Sequence, residues 1–150
     1  MFIGEHIAKL DDKGRLVFPS PFKAFAEREG EGKLGYVLKK NLFLPCLDMY
    51  TYEEWKRQSA IIRVRLNNIP FSRKQNVLWN EYMNDSAIVE PDEKMGRIMI
   101  PKRLLEKIDA RREVVFSGKD FKIEVWASEH QNENRLSESE YLALVEEILG

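Results

Sequence analysis

The chain has 150 residues, of which 43% are hydrophobic, and its 24 basic and 25 acidic side chains give a formal net charge of −1. This composition is typical of a globular protein with a buried core and excludes an intrinsically disordered chain. Because nucleic-acid-binding domains are usually basic, any DNA-binding charge here must be concentrated locally and balanced by acid elsewhere.

In chain order, the first third of the sequence alternates strand and helix signals. An apolar strand is predicted to reverse at Lys13 and Gly14, and a short helix then opens with Ser20 as its N-cap and Pro21 in its first turn. Runs of β-branched and aromatic residues predict strands at residues 35–39, 41–44 and 47–50. A capping box at residues 51–54 opens the next helix.

Two helices are predicted in the middle of the chain. The first carries Trp55, Ile62 and Leu66 and ends where residues 67–70 break the chain. The second opens at a capping box formed by residues 72–75. Its predicted buried face consists of Val77, Leu78 and Tyr82 or Met83.

The second half predicts a short helix at residues 101–108 and strands at residues 113–116 and 121–126. A capping box at residues 128–131 predicts another helix, and Ser137 caps a last one. One side of that last helix carries Tyr141, Leu144, Val145 and Ile148.

An internal repeat underlies this order of elements. Residues 10–19 read LDDKGRLVFP and residues 92–101 read DEKMGRIMIP, so that the two Gly-Arg pairs lie 82 residues apart. Each copy has the order strand, tight turn, strand, short helix, strand, strand, helix. A copy of roughly 50 residues would bury little core alone, so we expect the two copies to pack together.

The two Gly-Arg turns are the candidate functional site. Glycine supplies the positive φ angle that such a turn needs, and the flanking Lys and Arg would then project from the end of a stiff hairpin. An Arg guanidinium suits phosphate or a guanine edge in the major groove. The predicted DNA-binding residues are Lys13, Arg15, Lys94 and Arg97, and the turn glycines are Gly14 and Gly96.

An acidic residue stands four positions before each arginine. Asp11 precedes Arg15, and Glu93 precedes Arg97, and each acid can hold its guanidinium in one orientation. The simpler alternative is a glycine turn with a surface ion pair and no ligand.

The sequence gives little support to an enzyme. His6 and His130 lack metal-binding spacing, and Cys46 lies in an apolar region that favours a buried structural thiol. No nucleophile-elbow, P-loop or dinucleotide-binding motif is present. We therefore expect no catalytic residues, no cofactor and no metal.

The cellular compartment is predicted from cysteine usage and from the N-terminal segment. A single cysteine forms no intrachain disulfide and suits a reducing compartment. Residues 1–6 lack the features of a signal peptide, and no stretch approaches the roughly 18 apolar residues of a membrane span. A cytoplasmic protein without a membrane partner is expected.

The sequence resembles the MraZ family of bacterial transcription regulators over nearly its whole length. The resemblance rests on residues 1–6, 10–19, 52–55, 95–101 and 123–126, in this order and spacing. It implies two AbrB-like swapped-hairpin repeats, with strands exchanged between halves, and a D-x-x-x-R signature found here as Asp11 to Arg15. In the second copy, the residue at the position that matches Asp11 is Glu93. The alternative is that Asp92 takes the role of the acid, with one more residue between it and Arg97.

The resemblance also implies a nucleoid-associated homo-oligomer, a ring, that binds short repeated DNA boxes near its own promoter, at the head of the division and cell-wall gene cluster. The predicted fold is α+β, with two repeats forming a pseudo-two-fold barrel with flanking helices. The predicted segments are a first repeat at 1–57, connecting helices at 58–86, a second repeat at 87–132 and a C-terminal helix at 133–150.

Two other functions remain open at this point. The same turns could be assembly contacts of a protein-interaction or scaffold module. A hydrolase that uses Asp11 and Glu93 is a third alternative, but an exposed turn is a poor place to raise a carboxylate pKa.

Overall fold

The computed structural model describes residues 1–68 and 72–150, and it confirms a mixed α+β fold. The predicted break at residues 67–70 lies partly outside the described residues. The strands are β1 (Phe2–Lys9), β2 (Arg15–Val17), β3 (Tyr36–Lys40), β4 (Leu47–Thr51), β5 (Ser86–Val89), β6 (Arg97–Met99), β7 (Glu113–Asp120) and β8 (Lys122–Ala127). The helices are α1 (Ser20–Arg28), α2 (Tyr52–Asn67), α3 (Arg73–Asn84), α4 (Lys102–Lys107) and α5 (Glu138–Leu149).

The strands form two antiparallel sheets. Six of them follow the order β1-β7-β8-β4-β3-β5, and β2 pairs with β6 in a separate two-stranded sheet. The predicted closed barrel is not found within the described residues, because β1 and β5 end the larger sheet as unpaired edges.

Each turn connects strands that belong to different sheets. In the described residues β1 pairs with β7, and β2 pairs with β6, so that the two strands flanking Gly14 share no ladder. The predicted stiff hairpin is therefore wrong, because each strand takes its partner from the other copy of the repeat. The two copies are joined by main-chain hydrogen bonds instead of by side chains alone.

The main core lies on one face of the six-stranded sheet, covered by α1, α4 and the two-stranded sheet. Alternate residues along β3, β4, β7 and β8 point into this core, as the two-residue period of a strand requires. The fully buried members are Leu38, Leu47, Met49, Val114, Phe116, Ile123 and Val125. Leu16 of β2 and Ile98 of β6 close the core from the other side.

The opposite face of the sheet carries a buried row of polar side chains. Lys39, Asp48, Glu124 and Ser117 are direct neighbours across β3, β4, β8 and β7, and we call them the polar row. Lys122 bridges the two acids, with its Nζ 2.8 Å from Asp48 Oδ1 and 3.3 Å from Glu124 Oε2. Two carboxylates directly opposite each other repel, and the ammonium of Lys122 compensates this repulsion between Asp48 and Glu124.

Three predicted helix caps are confirmed and two are wrong. The hydroxyls of Thr51, Ser72 and Ser137 each accept from the backbone N–H three residues on. At α1 the N-cap is Pro19 and Ser20 is the first helical residue. Ser128 opens only a 3-10 turn, Ser128–His130, because its hydroxyl donates to Glu113 Oε1 at 2.9 Å.

The predicted burial of Val77 and Leu78 in α3 is wrong, that of Tyr82 and Met83 is confirmed in part, and that of the Cys46 thiol is confirmed. Val77 and Leu78 are largely exposed, and α3 covers the sheet only through partly buried residues near its end, Tyr82 and Met83. Cys46 is fully buried, and this burial raises the pKa of its thiol well above the ordinary range. None of the helices in residues 1–68 and 72–150 has the length and the apolar run that a membrane crossing needs.

Replacing Lys122 with methionine should strongly destabilise the fold. The change keeps the length of the side chain but leaves Asp48 and Glu124 facing each other without a cation, and breaking such a buried pair costs about 3–5 kcal/mol. Urea unfolding measures the loss. Lys119→Met, at an exposed position one strand away, is the matched control, and adding Glu124→Gln to Lys122→Met should recover part of the stability. Equal stability of the two single variants would contradict this role.

Candidate nucleic-acid interface

The first turn is organised by the carboxylate of Asp11. Its Oδ1 accepts from the backbone N–H groups of Lys13 at 2.9 Å and of Arg15 at 2.8 Å. Its Oδ2 accepts from Arg15 Nε at 2.7 Å. One acid therefore fixes both the loop and the guanidinium, while the two terminal nitrogens of Arg15 are outside this ion pair.

The second turn is organised in the same way by Asp92. Its Oδ1 accepts from the N–H groups of Met95 at 2.7 Å and of Gly96 at 3.2 Å, and its Oδ2 lies 3.4 Å from Arg97 Nε. The same backbone hydrogen bond closes both turns: the N–H of Asp11 donates to the carbonyl oxygen of Arg15, and the N–H of Asp92 donates to that of Arg97.

The expectation that Glu93 orients Arg97 is therefore wrong, and Asp92, the alternative that the sequence left open, holds the arginine. The second turn is one residue longer, which moves the acid to the fifth position before its arginine and inserts Met95 between Lys94 and Gly96. Glu93 is an exposed residue of the longer loop.

Both turn glycines adopt the predicted left-handed backbone, with φ angles of +80° at Gly14 and +67° at Gly96. Their surroundings differ. A Cβ on Gly14 would lie 2.8 Å from the carbonyl oxygen of Ile100, whereas a Cβ on Gly96 would meet nothing within 4 Å. Gly14 is thus required by φ and by close packing, and Gly96 by φ alone.

The β2–β6 ladder places both arginines on one surface. Arg15 lies opposite Met99, Leu16 opposite Ile98, and Val17 opposite Arg97. Since Leu16 and Ile98 point into the core, their neighbours point outward, and we call this surface, with Arg15, Val17, Arg97 and Met99, the arginine face. From a strand rise of about 3.4 Å and a strand spacing of about 4.8 Å, the Cα atoms of the two arginines lie about 8 Å apart.

Two reciprocal hydrogen bonds extend this ladder into the turns. Ile100 N–H donates to the carbonyl of Gly14 at 3.0 Å, and Phe18 N–H donates to the carbonyl of Gly96 at 2.9 Å. Each turn is therefore anchored to the other copy of the repeat. Sequence reasoning missed these contacts, although the matching places of Phe18 and Ile100 before Pro19 and Pro101 were a usable signal.

The charges of the turns nearly cancel. Asp11 and Asp92 are paired with the arginines, and Asp12 and Glu93 add one more acid to each turn. Lys13 and Lys94 are exposed as predicted. The arginine face consequently offers directed N–H donors rather than a strong positive field.

Hydrogen bonding keeps both orienting acids ionised. The backbone N–H of Arg15 is the main cause of a lowered pKa at Asp11, and the N–H of Met95 is the main cause at Asp92. A lowered carboxyl pKa contributes stability that is complete above the ordinary value of about 3.9 and is lost as pH falls through the lowered value. Both turns therefore keep their charge pattern throughout the neutral range.

Comparisons with known proteins identify the family of the chain. A transcriptional regulator MraZ from Bacteroides thetaiotaomicron is 33% identical over 149 residues, which cover 99% of this chain and 92% of that protein. The chain belongs to the MraZ family. The MraZ family model, described as "MraZ protein, putative antitoxin-like", matches residues 84–141.

Other MraZ relatives span a comparable length. One from Bacteroides fragilis is 33% identical over 148 residues, covering 99% of this chain and 90% of that protein. One from Dictyoglomus thermophilum is 33% identical over 135 residues, which cover 89% of this chain and 84% of that protein. Both carry the name transcriptional regulator MraZ. The resemblance inferred from the motifs is thereby confirmed, and the match to the MraZ family model includes the second turn.

Asp92→Ala should loosen the second turn, whereas Glu93→Ala should not. Loss of Asp92 removes the acceptor for the Met95 N–H, so we expect faster amide hydrogen exchange at Met95 and a lower stability of this turn. Hydrogen exchange followed by mass spectrometry or NMR gives the comparison. Equal exchange in both variants would show that the acid does not organise the turn.

The two glycines should differ in their tolerance of alanine. Gly96→Ala introduces only left-handed strain, about 1–2 kcal/mol. Gly14→Ala adds a clash with the Ile100 carbonyl and threatens the hydrogen bond beside it, so it should lose more stability in urea unfolding. An equal loss, or a larger loss at Gly96, would refute the assigned packing of Gly14.

Proposed function

We propose that this chain is a sequence-specific DNA-binding transcription regulator, not an enzyme, and that the arginine face is its DNA contact. The observation that carries the proposal is the outward placement of Arg15 and Arg97 on one two-stranded ladder. Each guanidinium is held by an acid through Nε, which leaves its terminal nitrogens for a ligand. The names of the MraZ relatives support a role in transcription.

The dimensions of DNA suit such a surface. The major groove, about 12 Å wide, admits a two-stranded β-ribbon, and Arg donates bidentately to guanine O6 and N7 there. Val17 and Met99, which are 52% and 58% exposed, lie beside the arginines on the same face and offer apolar contact to thymine methyl groups. Lys13 and Lys94 would contact phosphates at the edges of the groove.

The nearly balanced charge of the turns implies that one subunit binds weakly. Affinity for DNA grows with the number of phosphates that Lys and Arg neutralise, and each arginine face has few unpaired cations. We therefore propose a homo-oligomeric ring on repeated promoter boxes of the division and cell-wall gene cluster, where tethering several subunits raises avidity by roughly 10²–10⁴. Such binding would place the protein on the nucleoid.

We propose in addition that the two copies form AbrB-like swapped hairpins about a pseudo-two-fold axis. The strand order supports this, because exchanging β1 with β5, β3 with β7 and β4 with β8 reverses the order of the larger sheet and so keeps the same pairs of neighbouring strands. The repeats would be residues 1–57 and 87–132, with connecting helices at 58–86 and a C-terminal helix at 133–150.

The double variant Arg15→Ala/Arg97→Ala should bind DNA at least about tenfold more weakly, since a lost base contact costs about 1–3 kcal/mol. The assay is fluorescence anisotropy on duplex DNA from upstream of this chain's own gene, at several salt concentrations. A flatter dependence of log K on log salt is expected as well. Arg63→Ala/Arg65→Ala, which removes two exposed arginines from α2, is the matched control and should bind almost normally.

The exposed apolar pair Val17 and Met99 also favours a second candidate, a scaffold module that assembles through the arginine face. Light scattering distinguishes the two functions. DNA binding predicts that the arginine double variant keeps its assembly size, whereas a scaffold predicts dissociation and a DNA affinity that barely depends on salt. Unchanged affinity of the double variant at moderate salt would rule out the arginine face as the DNA contact.

A further inference from the structure

A cavity of about 270 Å³ lies between the polar row and the helices α2 and α3. It is remote in sequence from both turns, since its walls come from β3, β4, the loop between them, α2, α3 and the start of β8. The DNA-binding proposal makes no use of it. The residue that distinguishes it is Lys39, and we call it the Lys39 cavity.

Lys39 is a mostly buried lysine that forms no ion pair within the described residues, and its Nζ is not sealed from solvent. The residue is only 3% exposed, and no hydrogen bond or ion pair is formed by its Nζ among residues 1–68 and 72–150. Its Nζ lies over the Tyr82 ring, 4.0 Å from the ring centroid. Lysine is almost never this deeply buried unless it is paired, and the cation–π contact offsets only part of the desolvation cost.

The acid that could have paired with Lys39 is already engaged. Asp48 lies directly opposite Lys39 in the strand register, but its Oδ1 accepts from Lys122 at 2.8 Å and from Asn41 Nδ2 at 3.1 Å. Burial lowers the pKa of Lys39, although Asp85 and Asp48 partly oppose this effect. The Lys39 ammonium is therefore partly desolvated and forms no ion pair with either acid within the described residues.

The other walls suit an anion with a flat apolar part. Of the charged residues lining the cavity, three are lysines, Lys39, Lys40 and Lys122, and one is an acid, Asp48. Burial is the main cause of a raised pKa at Tyr50 and at Tyr82, and both phenols therefore stay protonated. Since a cavity of about 150 Å³ holds a benzene ring, the Lys39 cavity has room for a bicyclic one.

Apolar side chains frame the entrance. Ile62 of α2 lines the wall, and Phe43, on the loop between β3 and β4, is 91% exposed at the edge. An aromatic ligand would cover part of Phe43 and remove apolar surface from water, at about 25 cal/mol for each Å².

We propose that the Lys39 cavity is a binding site for a small organic anion, an aromatic carboxylate in chemical class, with its carboxylate on the Lys39 ammonium and its ring between Ile62 and Tyr82. The site lies on the same chain as the arginine face but does not depend on DNA binding. Lys39, the two phenols and the apolar side chain of Ile62 line the same cavity, and together they supply the charged, polar and apolar contacts that such a ligand needs.

The test uses naphthalene-2-carboxylate as the probe, with its neutral amide and inorganic phosphate as comparison ligands, by isothermal titration calorimetry on the full chain. The carboxylate should bind, and the amide and phosphate should bind at least about tenfold more weakly, since a hydrogen bond to a charged group accounts for at least that factor. Lys39→Met should weaken carboxylate binding by a similar factor. It should also unfold at the same or a higher temperature, because it removes a desolvated charge.

A second pair of variants tests the cavity without touching Lys39. Ile62→Trp fills it from α2 and should abolish carboxylate binding, whereas Ile61→Trp, at the exposed neighbouring position, should leave binding unchanged. The proposal is overturned if the unmodified chain does not bind the carboxylate, if the amide or phosphate binds as tightly, or if Ile62→Trp binds normally. Binding by Lys39→Met within twofold of the unmodified chain would overturn it as well.

Discussion

The pairing of Leu16 with Ile98 is the constraint on which the candidate interface depends. Both side chains are buried in the main core, and they belong to strands from the two copies of the repeat. Burying each contributes about 1.5–3 kcal/mol, and the two-residue period of a strand then turns both arginines outward. A shift of one residue in this register would bury the arginines and expose the core pair. The hydrophobic effect therefore sets the positions of the polar groups, and the orienting acids only refine them.

The opposite face of the larger sheet follows a different rule, because electrostatics decides its arrangement. Asp48 and Glu124 face each other across β4 and β8, and Lys122 neutralises them together. Lys122 pairs with Asp48 Oδ1 and Glu124 Oε2, whereas Lys39, the next cation along the polar row, forms no ion pair within the described residues. Proteins normally avoid such a surplus buried charge, since its desolvation is not compensated. The fold tolerates it where a cavity admits water or a ligand, and there the cost in stability can be linked to binding.

Local features were predictable from the sequence, and long-range ones were not. The positive φ of Gly14 and Gly96 and the cap at Thr51 depend on a few neighbouring residues, so the motifs sufficed. The partner of each strand depends on the whole fold. For this reason the sequence wrongly predicts that the two strands flanking Gly14 pair with each other. The spacing of apolar residues in α3 indicates an apolar face, but it does not show whether another element packs against that face. Val77 lies on this face and is exposed. The second turn is longer, and this is why Asp92 and not Glu93 orients Arg97. The acid that orients the arginine is the one that also accepts from the backbone N–H groups of the turn, and its spacing to the arginine alone does not identify it.

Pairing each arginine with an acid has a consequence for how the arginine face would recognise DNA. An unpaired arginine attracts any phosphate, whereas Arg15 bound to Asp11 has little net charge but keeps its terminal N–H donors in a fixed direction. Non-specific affinity falls with the net charge, while a directed bidentate contact to a base is retained. The acid also lowers the entropy that the guanidinium loses on binding, because its orientation is already set. Under the proposed function, a single subunit would therefore bind DNA weakly but selectively, and assembly of several subunits would raise the overall affinity.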